Sequence, residues 1–298
     1  MKSRWRFRCY PTPEQELHLN RTFGCVRFVW NWALSARTEA FRHGERMSYP
    51  ATDKALTVLK ATPEYAWLNE VSSVCLQQSL RELQTAFANF LDQRAAYPAY
   101  KRKKARQSAN YTERGFSFDS ATRTLKLAKV GKIKVKWSRK KIPQPSSIRL
   151  IRTASGKFFV SLVVETQPEP MPKTGEFVGI DFGVARLATL STGEFIANPK
   201  HSAKWQGRLA CYQKRLARAQ KGSKRRLKVK RQVARIHEKI ANSRSDTLHK
   251  LSTGLVKCFD VIYVEDLNLR GMAKNHSLAR SLSDASIGTL VRMTQEKA

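Results

Sequence analysis

Residues 176–183 read Glu-Phe-Val-Gly-Ile-Asp-Phe-Gly, and residues 259–265 read Phe-Asp-Val-Ile-Tyr-Val-Glu. Each is a short apolar run of the kind a buried strand needs, and each contains or closes on an acid, Asp181 in the first and Glu265 in the second. Between them lie two shorter strand patterns, 186–190 and 194–197, joined at Ser191-Thr192-Gly193, and then a long helical stretch. A meander followed by a helical crossover brings the chain back parallel to its first strand. Asp181 and Glu265 are therefore expected at the same end of one sheet. Two acids converging there repel unless a divalent cation neutralises them, and Mg²⁺ favours such hard oxygen ligands. In the plainer reading Asp181 forms a turn and Glu265 caps a helix; spacing alone leaves both open.

The crossover reads as a helical hairpin over 202–220 and 224–257, turning at Lys221-Gly222-Ser223. Residues 201–250 hold 16 Lys and Arg against two acids, Glu238 and Asp246. Leu209, Tyr212 and Leu216 give the first arm an apolar seam, and Val233, Ile236, Ile240, Leu248, Leu251 and Leu255 give the second its own. A solvated hairpin would balance its cations with Glu, and this one does not. Lys214, Arg215, Arg218, Lys224, Arg225, Arg226, Lys230, Arg231 and Arg244 are therefore candidate phosphate contacts.

The whole chain repeats that imbalance: 298 residues carry 56 Lys and Arg against 23 Asp and Glu, a net charge of +33. Such a field destabilises a compact state unless a polyanion compensates it, and nucleic acid is the expected partner. No apolar run approaches the ~20 residues of a membrane helix, and no apolar segment follows Met1-Lys2-Ser3-Arg4 as in a secretory signal. A cytoplasmic, nucleoid-associated protein with no membrane partner is expected. Cys9, Cys25, Cys75, Cys211 and Cys258 form no CxxC pair, and the six histidines form no HxxxH face, so neither a disulfide framework nor a zinc site is expected.

The N-terminal half reads as strands around an insertion. Residues 4–10 alternate basic and apolar, which makes Arg4, Arg6 and Arg8 one face of a strand and candidate nucleic-acid contacts. Thr12 can cap a helix begun by Pro13 and Glu14. Further helices are expected through 51–60 and 71–95, the last with a core stripe of Val74, Leu76, Leu80, Leu83, Phe87, Phe90 and Leu91. Tyr97-Pro98 stops that helix. Tyr97, Tyr100, Lys101, Arg102, Lys103 and Lys104 then set aromatics among cations, which suits base stacking combined with phosphate contact. Residues 115–165 are strand-rich with turn signals at Gly131, Pro143, Pro145 and Gly156, and with strand 4–10 are expected to form a small barrel. Three prolines within 167–175 mark a linker.

The chain resembles the TnpB (OrfB) family of bacterial insertion-sequence proteins, relatives of compact type V CRISPR effectors. The likeness is carried by Phe7–Gln15, by Thr22–Leu34 with Arg27 and Asn31, and by Tyr97–Lys101, Gly131–Val135, Gly179-Ile180-Asp181-Phe182-Gly183, Ile240–Arg244 and Val264–Leu269. It implies a multidomain α/β plus β-barrel fold. A wedge-type barrel (about 1–11 and 115–166) would hold an inserted helical recognition lobe (about 12–114), and a partial RuvC-like domain of RNase H fold would occupy 176–298. It further implies a guide RNA, a double-stranded DNA target beside a short adjacent motif, and Mg²⁺ at Asp181 and Glu265 as the first two catalytic acids. Arg27 and Asn31 are assigned to nucleic acid on the same ground.

The family's nuclease uses a third carboxylate beyond a zinc ribbon with two CxxC pairs. This chain ends 33 residues after Glu265 without either, so a truncated, cleavage-deficient protein with weak or absent Mg²⁺ and no zinc is expected. Asp284, within Ser281–Ser286, is not assigned to the site, and Asp266 would point away from it. Two alternatives stand beside this reading. One is a repressor or transposition regulator that occupies DNA without cutting. The other is an ATPase of the actin and sugar-kinase type, which shares Gly-Ile-Asp-x-Gly but needs a second glycine-rich phosphate loop where only Gly271 and Gly288 occur.

Overall fold

The computed structural model describes residues 1–167 and 172–298. Residues 168–171, four of the expected linker, lie outside the described residues. The chain divides into two compact units, Met1–Pro168 and Glu169–Ala298.

In the first unit β1 (Lys2–Tyr10) is followed by three helices, α1 (Pro13–Arg42), α2 (Tyr49–Ala61) and α3 (Ser73–Leu91). Six strands come next: β2 (Gln107–Thr112), β3 (Phe116–Asp119), β4 (Thr124–Leu127), β5 (Gly131–Lys136), β6 (Ser147–Arg152) and β7 (Phe158–Glu165). They pair antiparallel in the order β2-β6-β7-β1-β5-β4-β3. Only the 3₁₀ turn Glu113–Gly115 separates the two edge strands in sequence, so the sheet curls into a nearly closed barrel. Alternation decides what lies inside: Phe7 and Cys9, Leu125 and Leu127, Leu150, and Val160, Leu162 and Val164 are buried, and the same core continues onto Leu19, Val26, Leu76 and Leu80 of the helices. β2 lies inside the stretch 12–114 expected as a helical insertion. Its sequence, Gln-Ser-Ala-Asn-Tyr-Thr, buries only Ala109 and Tyr111, which left too little apolar alternation to read.

The first helix starts as expected and is tied to the barrel as well. Thr12 Oγ1 accepts from the Gln15 amide while Gln15 Oε1 accepts from the Thr12 amide, and Gln15 Nε2 donates to the Lys132 carbonyl of β5 at 2.8 Å. Ser79 Oγ of α3 donates to the Val26 carbonyl of α1 at 2.9 Å, a buried bond that fixes the two helices side by side. Thr12→Ala should cost about 1 kcal/mol of first-unit stability, read as a lower denaturant midpoint with an unchanged slope.

The α3 stripe departs from expectation at its end. Leu76, Leu80 and Leu83 are buried, but Phe90 is 37% and Leu91 72% exposed.

The second unit is a four-stranded sheet in the order β10-β9-β8-β11, where β8 is Phe177–Asp181, β9 Arg186–Leu190, β10 Phe195–Ala197 and β11 Val261–Val264. The meander pairs antiparallel, and β11 returns parallel to β8. Between them run α4 (Gln206–Arg218) and the 35-residue α5 (Lys224–Cys258), which at 1.5 Å per residue is about 52 Å long. Three helices follow, α6 (Leu269–Met272), α7 (His276–Ala285) and α8 (Ile287–Gln295). Val178, Ile180, Leu187, Ala188 and Leu190 of the sheet share a core with Leu248 and Leu255 of α5, Leu282 of α7 and Leu290 of α8.

The strand at 259–265 reads as buried, yet β11 is the sheet edge, with Tyr263 64% and Val261 46% exposed. Alternate residues of β8 face opposite ways: Val178 and Ile180 enter the core, while Phe177, Gly179 and Asp181 lie on the open face.

Candidate metal and nucleic-acid site

The register between β8 and β11 is Val261 with Phe177, Ile262 with Val178, Tyr263 with Gly179 and Val264 with Ile180. One step further, Asp181 and Glu265 leave the same end of two adjacent parallel strands, which lie about 4.8 Å apart. Both are exposed. On the other side Asp181 pairs with Thr189 of β9. Among the described residues no group of three His, Cys, Asp or Glu is placed to share a metal ion. The donors at this end are two exposed carboxylates, Asp181 closing β8 and Glu265 directly following β11. Mg²⁺ is commonly held by one or two carboxylates completed by water and phosphate oxygens, and this donor set fits it.

Asp284 is occupied elsewhere. It is 8% exposed and accepts from the Ser202 amide, the Ser202 hydroxyl at 2.9 Å and Arg244 Nη2 at 2.8 Å. Burial alone would raise its carboxyl, but the Ser202 amide, the Arg244 guanidinium and the Ser202 hydroxyl outweigh burial and hold it below the ordinary value. It joins the start of the hairpin to α5 and α7.

The cations expected to face phosphate fall into two groups. Arg4, Arg102, Lys103 and Lys104 of the first unit are exposed, as are Lys214, Arg215, Arg218, Lys224, Arg225, Lys230 and Arg231 of the hairpin. Arg6 lies 3.9 Å from the Phe159 ring centre, and Arg8 donates to the Phe158 carbonyl at 3.0 Å.

The others are bound by the protein itself. Asn31 Nδ2 donates to the Lys101 carbonyl while its Oδ1 accepts from the Lys101 amide, so it clamps the 97–106 loop. Lys101 Nζ reaches Glu82 at 3.3 Å and sits 3.8 Å from the Trp30 ring centre, and burial lowers its pKa despite Glu82. Arg27 donates to Gln107, whose amide nitrogen in turn donates to the Arg102, Lys103 and Ala105 carbonyls. Arg226 Nη1 caps the carbonyls of Leu216 and Ala219 and so closes the hairpin turn, and Arg244 serves Asp284. These five organise the loop and the hairpin that carry the exposed cations. The partners of Asn31, Arg27 and Arg244 lie 40 or more residues away in sequence, which composition does not reveal.

Both aromatics are exposed, Tyr100 by 56% and Tyr97 by 45%, and Tyr97 also bonds Thr38 through its hydroxyl and packs edge-on against Phe87 and Phe90. Glu82 was missed entirely. It accepts from Lys101, Arg149 and Asn110, partners 19 to 67 residues away, and its local sequence carries no signal of that role.

Residues 161–276 match the OrfB_IS605 family, described as "Probable transposase", and residues 1–46 match HTH_OrfB_IS605, a "Helix-turn-helix domain". In this chain residues 1–46 form β1 and the single helix α1 rather than two helices about a turn. A "Putative RNA-guided DNA endonuclease" of Streptomyces pristinaespiralis is 47% identical over 100% of this chain and 75% of its own length. The "Putative RNA-guided DNA endonuclease InsQ" of Escherichia coli K12 is 33% identical over 91% of this chain and 67% of its own length. Among solved structures, a chain of the Cas12f1-sgRNA-target DNA complex superposes with a TM-score of 0.55 at 11% identity, covering 99% of this chain and 88% of that one, which is a likeness of fold.

Proposed function

Given that this chain belongs to the TnpB/OrfB family of RNA-guided DNA endonucleases, we propose that it binds a guide RNA and, through it, a matching DNA duplex beside a short adjacent motif. The first unit would be the wedge barrel with its recognition helices, and the second the RuvC-like domain. The observation that carries the reading is the parallel register that delivers Asp181 and Glu265 to one sheet end, on the unit that also bears the basic hairpin.

Base pairing reads sequence in such a system, and the protein supplies backbone contact. Lys214, Arg218, Lys224 and Arg225 on the hairpin, and Arg102 to Lys104 on the clamped loop, would take phosphates. Asp181 and Glu265 would hold Mg²⁺, which when bound neutralises charge building on a phosphodiester undergoing in-line displacement. With two carboxylates rather than three at this end among the described residues, the 298-residue chain occupies its target and cuts it slowly. Gly271 and Gly288 sit close to side chains, where a Cβ would come 2.9 Å from Asn268 and 2.9 Å from Leu269 respectively.

The test is a footprint with purified chain, guide RNA and labelled duplex. Protection of the guide-matched site with little scission in Mg²⁺, and protection retained in Asp181→Ala, are the expected results. Rapid cutting abolished by Asp181→Ala would overturn the slow-cutting claim, and protection independent of guide sequence would overturn the RNA-guided one.

A further inference from the structure

A groove of about 1020 Å³ opens in the first unit between the end of α1, the start of α2 and the last turns of α3. The misplaced end of the α3 stripe lines it. Phe41 is 77% exposed there, with Phe90 and Tyr97 beside it. A patch of that kind marks a binding surface.

Its walls are also cationic. Arg37 lies 4.4 Å from the Phe87 ring centre and is held by Gln84 at 2.9 Å, while Arg81 donates to the Tyr49 hydroxyl at 3.2 Å and lies 6.0 Å from that ring centre. Arg46 is a third arginine, and Glu45 is the one acid in the lining. A second copy docking face to face would set six arginines against two glutamates, so like charge opposes self-association. The occupant that suits rings and guanidinium planes together is an anion that carries π-faces.

We propose that this groove is a stacking site for unpaired bases of a single-stranded nucleic acid. The inference rests on the reading of the protein as a handler of RNA and DNA, and it adds a base contact that phosphate-facing cations do not supply. Aromatic rings and arginines stack on any base, so the site is tolerant of sequence.

The experiment measures anisotropy of labelled ten-nucleotide oligo(dT), oligo(U) and an abasic DNA strand of equal charge, with the full chain and with Phe41→Ala and Phe41→Trp. Phe41 is largely exposed, so both variants should keep the fold. Phe41→Ala should weaken oligomer binding about tenfold, leave abasic binding and the salt slope unchanged, and be rescued by Phe41→Trp. Loss confined to oligo(U) assigns the guide RNA as the source of the bases, and loss confined to oligo(dT) assigns a DNA strand. Equal affinity of wild type and Phe41→Ala for both oligomers, or a variant that changes only sedimentation mass, overturns the proposal. Guide-matched protection in the footprint is read separately, so it can fail or hold independently of this result.

Discussion

Replacing Lys214, Arg218, Lys224 and Arg225 together by Gln should lower affinity for RNA about a hundredfold at about 0.15 M salt. All four are exposed and flank the turn between α4 and α5. Each phosphate that a cation neutralises releases counterion, and for a single strand the slope of log K against log salt is about 0.7 per contact. Four lost contacts therefore reduce that slope by about 3. Helicity should hold, since the turn is closed by Ser223 as N-cap and by Arg226 on the Leu216 and Ala219 carbonyls, neither of which is altered. An unchanged salt slope, measured by filter binding across a salt series, would remove the hairpin from the nucleic-acid surface.

Asp284→Ala should destabilise the second unit by about 3 kcal/mol, a fall of roughly 10 °C in its melting temperature. The substitution strands Arg244, whose side chain is 25% exposed and whose Nε is already buried without a partner, and it also frees the Ser202 amide. Breaking a buried pair from one side leaves an uncompensated charge, which costs more than the pair contributes. The pH dependence has a definite sign. Asp284 is held below its ordinary 3.8, and so is Asp260, whose carboxylate accepts from the Thr174 and Gly175 amides. The unfolded chain therefore takes up protons first. The stability these groups give is complete above the unfolded value and is lost as pH falls through the folded ones. A calorimetric pH series in which Asp284→Ala flattens the acid limb checks this; an acid limb identical to wild type would contradict it.

Much of this architecture was legible because its signals are local. Apolar runs closed by Asp181 and Glu265, the Ser191-Thr192-Gly193 turn and the Thr12 cap each depend on a few adjacent residues. The edge position of β11 was not legible, because an apolar run reads alike whether its neighbour strand is present or absent. β2 was hidden by its polar composition. Lys101, Arg226 and Arg244 read as phosphate ligands since they stand in basic stretches, and Asn31 on the family likeness, yet Asn31 clamps the Lys101 backbone, Lys101 meets Glu82, Arg226 two backbone carbonyls and Arg244 Asp284. Phe90 and Leu91 continue the helical period of Leu76, Leu80 and Leu83, and periodicity alone does not tell a core position from an exposed one.

The claim on which the functional reading turns is that Asp181 and Glu265 share one cation. Fe²⁺ in place of Mg²⁺, with ascorbate and peroxide, generates hydroxyl radicals that cleave the polypeptide beside the bound ion. Cuts near residues 181 and 265 in the wild type, with both lost in Asp181→Asn and in Glu265→Gln, are the result expected. Cuts that persist in both variants, or that fall at one strand only, would contradict a shared site.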